Sequence, residues 1–459
     1  MKNIIFAFKD DVPKYKQIYE QFKLLIEQGK LDTNEKLPSI RELADSLRVS
    51  RNTTLMAYEQ LVAEGYIRGE GRKGYFINEI EILSFQESLG PPTKKESESL
   101  NPILVDFRAA AVDQKNFPLK VWRRMANEVL TLPESFQYGE PFGEVCLREQ
   151  IATYLLQSRG VKTDAHSIII GSSTQQMLIN LGYILKNDFS GIIVENPGYD
   201  GARESFKFHQ FSFEILPVYE TGADLLKLER AKSKLIYVTP SHHSPYGVSM
   251  PIQQRHTLIQ WINQVQGYII EDDYDSEFRY TQQPFPALSS IDSSRVIYLG
   301  NFSKSFLPGI RISYMVLPPS LLNQYKKQFM YFESSTSLLS QFTMAKFMES
   351  GEWNRHIKRM RLVYKQKMQS LVFELKKQFN QNISIIGEQS GLYLLIKVYS
   401  KHSEEWLIQQ ASSYGVKVYP TSIYFIDNNI DTPIIKLGFT NLSLDEIQLG
   451  IKLLKKAWL

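Results

Sequence analysis

Five short apolar runs between residues 167 and 300 are the feature that most constrains the fold of this 459-residue chain. The runs read SIIIG, GIIVEN, KLIYVTP, GYIIEDD and RVIYLG, and they alternate with longer segments of helical periodicity. Short β-branched runs that alternate with helices are typical of parallel strands joined by helical crossovers. The pattern therefore predicts an α/β fold with a mainly parallel sheet flanked by helices.

The periodicity changes at both ends of this region. From about residue 350 a long charged amphipathic segment, EWNRHIKRMRLVYKQKMQSLVFELKKQF, is followed by short apolar runs, which predicts a smaller C-terminal subdomain at about 350–459. Residues 81–103 lose apolar periodicity and gain Pro-Pro, Lys-Lys and Ser-Glu pairs, a composition that buries too little to order itself. We therefore predict one domain at 1–80, a flexible linker at 81–103 and a second domain at 104–459.

Charge and cysteine content narrow the class of protein. The formal net charge of +4 is small for this length, so a nucleic-acid partner must be indicated locally. The single cysteine, Cys146, excludes an internal disulfide. The polar start MKNIIFAFKDD contains no apolar stretch of signal or membrane length, which predicts a soluble cytoplasmic protein without a membrane partner.

The first eighty residues predict three helices and a basic hairpin. The segment 15–29 is amphipathic and ends at a glycine, and Ser39 with Glu42 forms a capping-box pattern for a second helix. After a three-residue turn, Ser50 is a good N-cap for a third helix at 51–65. So tight a turn between two helices favours a helix-turn-helix, and YIRGEGRKGYFIN predicts a wing.

The third predicted helix can bury Leu55, Tyr58, Leu61 and Val62, which leaves Arg51, Asn52 and Thr54 exposed at its N-terminal end. A recognition helix presents that end to the major groove. The alternative is an ordinary small helical bundle, and charge does not decide between them. Residues 1–80 carry 13 Lys and Arg against 12 Asp and Glu, a net of +1.

The segment KLPSIRELADSLRVSRNTTLMAYEQLVAEGYIRGEGRKGYFI resembles the winged helix-turn-helix of GntR-type bacterial transcription regulators. The resemblance implies binding to double-stranded operator DNA. The DNA contacts that it implies are Arg41, Ser50, Arg51, Asn52, Thr53, Gly71 and Lys73.

In the larger domain, polar residues that follow the apolar runs indicate a binding site for one ligand. Lys304 and Arg311 follow the last run, Asp272 and Tyr274 end the run before it, and GSSTQQ offers free amides at a helix start. Tyr199 after a Pro-Gly turn can stack on a ring. Singly, each is compatible with a solvated strand end or an ordinary turn. Together they indicate a flat cationic heterocycle with a phosphate and an aldehyde, which is pyridoxal 5'-phosphate (PLP).

Each residue meets a need of that cofactor. Lys304 would form the imine, Asp272 would pair with the pyridinium nitrogen, and Tyr199 would stack on the ring. Tyr274 would bind the ring hydroxyl, with Ser244 as a helper. The phosphate would be held by Ser173, Thr174, Gln175, Ser303 and Arg311. No metal site is predicted.

From about residue 104 the chain resembles fold-type-I aminotransferases, through YGEPFGEVCLREQIATYL and most specifically SKSFLPGIRISY. A GntR-like reader followed by such a domain resembles the MocR/GabR regulators. The resemblance implies a homodimer of two such chains, with domain swapping left open. It also leaves two main functions open: a transcription regulator that senses PLP or an amino compound, and an active aminotransferase with an accessory DNA-binding segment. A structural dimer with a vestigial site is disfavoured by intact Lys304, Asp272 and Arg311.

Residues that would contact a substrate or effector separate these functions better than the residues that would contact PLP. Aminotransferases usually place an arginine near IIKLGF, where this chain has Lys436. Sensors of γ-aminobutyrate are expected to carry arginines where this chain has Gly201 and Ile423, with Arg203 nearby as a substitute. We therefore expect weak aminotransferase turnover and no clamp of two arginines around the effector. Two possibilities remain for the signal. Either Arg203 or Lys436 contacts an amino compound, or PLP itself is the signal, as in relatives that control vitamin B6 synthesis.

Overall fold

The computed structural model describes residues 8, 12–79, 102–109, 111–280, 285–426 and 432–459. The chain divides into two compact units, Met1–Ser97 and Glu98–Leu459. The predicted linker at 81–103 lies outside the described residues except for residues 102 and 103, and it stays a prediction.

The N-terminal unit is a three-helix bundle with a two-stranded hairpin. Its elements are α1 (Lys14–Glu27), α2 (Ile40–Leu47), α3 (Arg51–Ala63), β1 (Ile67–Gly69) and β2 (Tyr75–Ile77). Phe22 of α1 and Tyr58 of α3 are fully buried and meet edge to face, with ring centroids 6.0 Å apart. The predicted capping box is confirmed: the Glu42 amide donates to the Ser39 hydroxyl and the Ser39 amide donates to the Glu42 carboxylate.

The buried face of α3 differs from the prediction. Thr54 is fully buried and Val62 is 40% exposed, whereas the sequence predicted the reverse. Thr54, Tyr58 and Leu61 follow one another at helical spacing of four and three residues, so they share one face toward the core. Thr54 therefore lies on the core side of α3 and is not at its exposed end.

The large unit is built around an eight-stranded sheet in the order β4-β11-β10-β9-β8-β5-β6-β7. Strands β10, β9, β8, β5 and β6 are parallel, while β11 runs antiparallel to both of its neighbours and β7 antiparallel to β6. The strands are β4 (Ile168–Gly171), β5 (Gly191–Asn196), β6 (Ser212–Tyr219), β7 (Gly222–Ala223), β8 (Leu235–Val238), β9 (Tyr268–Asp273), β10 (Val296–Asn301) and β11 (Ser313–Val316). The five predicted runs are β4, β5, β8, β9 and β10.

Helices cover both faces of this sheet, and separate apolar clusters lie on the two sides. The helices of the large unit up to residue 349 are α4 (Leu119–Val129), α5 (Val145–Arg159), α6 (Thr174–Leu185), α7 (Asp200–Phe208), α8 (Ile252–Val265), α9 (Leu288–Ile291), α10 (Pro319–Phe329) and α11 (Leu338–Glu349). The α/β fold class is confirmed.

A smaller C-terminal layer follows, as predicted. It contains α12 (Glu352–Phe379), β12 (Ile383–Ile386), β13 (Tyr393–Val398), α13 (Glu404–Ser413), β14 (Val416–Lys417), β15 (Tyr419–Pro420), β16 (Ile434–Gly438) and α14 (Leu444–Trp458). Four of these strands form an antiparallel sheet in the order β12-β13-β16-β15. The first strand of the large unit, β3 (Val105–Asp106), pairs with β14 and so belongs to this layer.

Candidate functional site: a cofactor cavity and a DNA-reading helix

The carboxyl ends of β4, β5, β8, β9 and β10 meet at one edge of the large sheet, where they border a cavity of about 250 Å³. Ligands of α/β proteins bind at this edge because the loops there converge. All ten residues predicted to bind the cofactor line this cavity: Ser173, Thr174, Gln175, Tyr199, Ser244, Asp272, Tyr274, Ser303, Lys304 and Arg311. The structure thus brings the whole predicted set together, while the role of each residue stays a prediction.

Lys304 follows β10 by three residues and projects into the cavity. Desolvation and, to a smaller extent, the nearby charge of Lys436 together lower the pKa of its amine to about 8, against smaller opposing effects of Asp275 and Asp272. An amine attacks an aldehyde only in its neutral form. A lysine with a pKa near 8 is therefore suited to covalent attachment of a carbonyl compound at neutral pH.

Asp272 is buried at the end of β9, and one of its two carboxylate oxygens lacks a hydrogen-bond partner among the described residues. The Tyr237 hydroxyl donates to Oδ2 over 2.6 Å, while Oδ1 is buried and has no hydrogen-bond partner within the described part of the chain. The pKa of Asp272 is raised to about 7, mainly by burial, with the hydrogen bond from Tyr237 opposing this rise and the carboxylates of Asp273 and Asp275 adding to it. A buried oxygen without a partner is unfavourable, so this atom fits a protonated ring nitrogen.

A second group of lining residues, at the start of α6, fits an anion. Helix α6 begins there with Ser173 as its N-cap, whose hydroxyl accepts from the Gln176 amide over 3.1 Å. Free amides in the first turn of a helix of this length attract negative charge, and the guanidinium of Arg311 lines the same cavity. These groups are the donors that a phosphate monoester needs.

The position of Tyr199 explains why this chain has a glycine, and not an arginine, at residue 201. A Cβ atom on Gly201 would lie 2.4 Å from the Tyr199 ring and 2.9 Å from the amide nitrogen of Gln175. Any larger side chain at this position would displace the ring that lines the cavity. The glycine is therefore required by the placement of Tyr199.

The two predicted effector contacts have different surroundings. Lys436 lines the cavity, donates to the Tyr424 hydroxyl over 2.9 Å and lies 3.8 Å from the centre of the Tyr393 ring. Burial lowers its pKa to about 8. Arg203 does not line the cavity, because its guanidinium donates to the carbonyl oxygens of Gly198, Ile423 and Tyr424. The geometry thus does not support the prediction of an effector contact at Arg203.

Sequence reasoning missed several lining residues, among them Tyr237, Thr239, Asp275 and Asn301. From the sequence, Tyr237 is an apolar member of a strand. Its contact with Asp272 follows from the strand register, because Tyr237 pairs with Ile270 of β9, two residues before Asp272. A tyrosine in a buried strand beside the strand that ends in the key aspartate is the signal that could have found it.

The predicted DNA contacts lie at the start of α2, around the start of α3 and at the tip of the hairpin. Arg41, Ser50, Arg51 and Asn52 are exposed, as are Gly71 and Lys73, whereas Thr53 is half-buried. Ser50 caps α3 by accepting from the Thr53 amide over 3.1 Å. Arg51 and Asn52 are thus presented by a fixed helix end, which is the geometry of a major-groove reader.

Two family models match this chain: bacterial regulatory proteins of the gntR family over residues 14–77, and aminotransferase class I and II over residues 104–448. A probable rhizopine catabolism regulatory protein, MocR, of Rhizobium meliloti is 30% identical over 98% of this chain and 94% of its own length. The chain belongs to the MocR-type transcription regulators. An uncharacterized HTH-type transcriptional regulator of Bacillus subtilis, YdeL, is 39% identical over 98% of this chain and 97% of its own.

The large unit of this MocR-type regulator has the aminotransferase fold. The crystal structure of a Pyrococcus horikoshii kynurenine aminotransferase superposes with a TM-score of 0.70, at 24% identity over 77% of this chain and 90% of that one. The protein is thus a PLP-dependent, DNA-binding transcription regulator, and its role is regulatory. Among the helices that the structure describes, none is long and apolar enough to cross a bilayer.

Proposed function

We propose that the cavity senses PLP itself or a small amino compound, with PLP held at Lys304, and that the state of the cavity controls operator binding. The observation that carries this proposal is the convergence of all ten predicted cofactor residues on one cavity. PLP supplies an electrophilic carbonyl when bound. The chain supplies the amine of Lys304, the free oxygen of Asp272 and the donors at the start of α6.

The size and charge of the cavity favour PLP as the signal. Pockets for drug-sized ligands usually measure roughly 300–1,000 Å³, and this cavity measures about 250 Å³. Apart from Lys304 and Arg311, which the proposal assigns to PLP, the only cation among the described lining residues is Lys436, which already donates to Tyr424. A single ammonium holds a carboxylate less firmly than a bidentate guanidinium. Dicarboxylates and ω-amino acids should accordingly bind weakly, and turnover as an aminotransferase should be slow.

We further propose that the regulator acts as a homodimer on paired half-sites. Support comes from large aromatic side chains that protrude from the large unit: Phe136 is 83% exposed, Tyr138 87% and Tyr331 89%. Aromatic side chains are enriched at protein interfaces relative to the rest of the surface. Whether the two protomers exchange their N-terminal units is left open by this proposal.

The test is operator binding by the apo protein and by the PLP-loaded protein, first without any amine and then with a series of amines. We expect the two forms to differ in affinity without an added amine, and we expect Lys304→Ala to lose both the absorbance band of bound PLP and that difference. Equal affinity of the two forms, both without an amine and with every amine of the series, would contradict the proposal. Equal affinity without an amine, together with a response to γ-aminobutyrate alone, would exclude PLP as the signal and contradict the expected weak binding of ω-amino acids. Lys417→Met, at an exposed strand position outside the cavity, is the control.

A further inference from the structure

His242 and Asp275 form a buried pair directly behind Tyr274. The His242 Nδ1 atom lies 2.9 Å and 2.8 Å from the two carboxylate oxygens of Asp275 and 3.1 Å from the Tyr274 hydroxyl oxygen. The side chains of His242 and Asp275 are 2% and 1% exposed. Asp275 and Tyr274 also line the cofactor cavity, whereas His242 does not.

Two glycines hold the imidazole in place. A Cβ atom on Gly391 would lie 2.0 Å from the Cε1 atom of His242, and a Cβ on Gly247 would lie 3.0 Å from its Nε2 atom. Both glycines have positive φ, at +85° and +71°, which larger residues rarely adopt. The imidazole ring thus packs directly against the backbone of these two glycines, and its orientation is determined by its contact with Asp275.

The surroundings of His242 define where its proton lies. Nδ1 faces two carboxylate oxygens at hydrogen-bond distance, so it carries a hydrogen and donates it to Asp275. Nε2 is buried and has no hydrogen-bond partner in the described ranges, so a second proton there would be buried without an acceptor. The pair is therefore a neutral imidazole, protonated at Nδ1, beside a carboxylate.

This tautomer determines what the Tyr274 hydroxyl can do. Because the Nδ1 lone pair is replaced by an N–H, the imidazole cannot accept the hydroxyl proton of Tyr274. Tyr393 is a weak alternative, since the two hydroxyl oxygens are 3.4 Å apart, and Tyr393 donates its own proton to the Pro245 carbonyl over 3.0 Å. The proton of Tyr274 is thus available to a group in the cavity.

We propose that His242 and Asp275 are positioning residues that keep Tyr274 a hydrogen-bond donor to the ring hydroxyl oxygen of bound PLP. The inference deepens the proposed function and rests on its placement of PLP in this cavity. The charged groups that face the same space are Asp272, Asp275, Lys304, Lys436 and Arg311. His242→Asn keeps a donor to the Asp275 carboxylate and so leaves these charges in place, whereas His242→Leu also removes the hydrogen-bond partner of that buried carboxylate and favours its protonation. Loss of a negative charge would lower the pKa of a nearby cation, so a higher midpoint in His242→Leu would still report the direction of the Tyr274 proton.

The experiment measures the absorbance of PLP-loaded protein as a function of pH. A donor at the ring oxygen stabilises its anionic form and lowers the midpoint of the spectral transition, so Tyr274→Phe should raise this midpoint by about 0.5 to 1 pH unit, the equivalent of one hydrogen bond. His242→Leu should raise it by at least half as much. His242→Asn keeps an N–H near the position of Nδ1 and should restore the wild-type midpoint, and His209→Leu, outside the cavity, should not change it.

A midpoint in His242→Leu equal to that of the wild type, alongside a shifted Tyr274→Phe, would overturn the inference and leave the proposed function intact. Absence of a PLP band in the wild type would instead overturn the proposed function. If His242→Leu does not fold, ¹⁵N spectra of histidine-labelled protein decide. We expect a ring protonated at Nδ1 that is missing in His242→Asn, and a ring protonated at Nε2 alone would overturn the inference.

Discussion

At the scale of single residues, the site depends on two neighbouring lysines that both have depressed pKa values near 8. Lys304 is the predicted attachment point, and the charge of Lys436 is the second largest cause of its lowered pKa, after desolvation. The lysine that replaces the usual arginine thus has an effect on the attachment amine that does not depend on any effector. The sequence alone could not distinguish this electrostatic role of Lys436 from its predicted role as an effector contact.

Lys436→Met tests this electrostatic role. Methionine keeps the unbranched buried chain and removes the charge, so the pKa of Lys304 should rise toward its ordinary value. The neutral fraction of the Lys304 amine grows as pH rises through its pKa, so the rate at which apo protein captures PLP should increase near pH 8 in the wild type and at higher pH in the variant. Rapid mixing with PLP over a pH series measures this rate, with Lys417→Met as the control. An unchanged midpoint would show that Lys436 does not act on Lys304.

Arg51→Ala tests the DNA-reading helix. If the exposed Arg51 reads a base edge, its loss should weaken operator binding by about 1–3 kcal/mol and leave binding to random DNA nearly unchanged. Lys73→Ala, at the hairpin tip, should weaken both by similar amounts because a phosphate contact carries no sequence information. Titrations of both variants on operator and random duplexes give the comparison. Equal losses for Arg51→Ala would reclassify Arg51 as a phosphate contact.

At the scale of helices and strands, local sequence patterns predicted where elements lie, but they did not predict which side chains pack between elements. Strand β5 lies at the residues of its apolar run, and the capping box of α2 forms as its spacing predicts. The predicted buried face of α3 was wrong because Val62 is more apolar than Thr54, so apolar periodicity favoured the face of Val62 over the face of Thr54, Tyr58 and Leu61 that is buried. The pairing of His242 with Asp275 depends on the fold of two loops, which no local pattern encodes.

Ser39→Ala tests the local signal that was confirmed. Loss of the hydroxyl leaves the Glu42 amide without its cap, so the free energy of unfolding of the N-terminal unit should fall by about 1 kcal/mol. Amide hydrogen exchange in α2 of the full-length protein measures the loss. Ser39→Asp keeps an acceptor and should retain most of the protection, and equal exchange in all three proteins would contradict the assigned cap.

At the scale of the whole molecule, the proposed dimer links the exposed aromatic residues of the large unit to DNA binding. Replacing Tyr331 by aspartate places a charge in apolar surface and should weaken the dimer, seen as a smaller sedimentation coefficient at micromolar concentration. Binding to paired half-sites should weaken in parallel. Thr257→Asp, which adds the same charge at an exposed polar position of α8, should change neither. A stable dimer in Tyr331→Asp would place the interface elsewhere.

The pairing of β3 with β14 sets the anchor of the tether that leads to the DNA-reading unit. The amides of Leu104 and Val105 donate to the Gly415 carbonyl, and the Gly438 amide donates to the Phe107 carbonyl, so this anchor is part of the C-terminal layer. The 23 residues of the predicted linker reach at most about 75 Å. If these residues are the flexible linker that their composition predicts, a sphere of that radius around the anchor limits the space that each reader can search. A shift of the anchor would then move the centre of that sphere and change the local concentration of one reader at its neighbour's half-site.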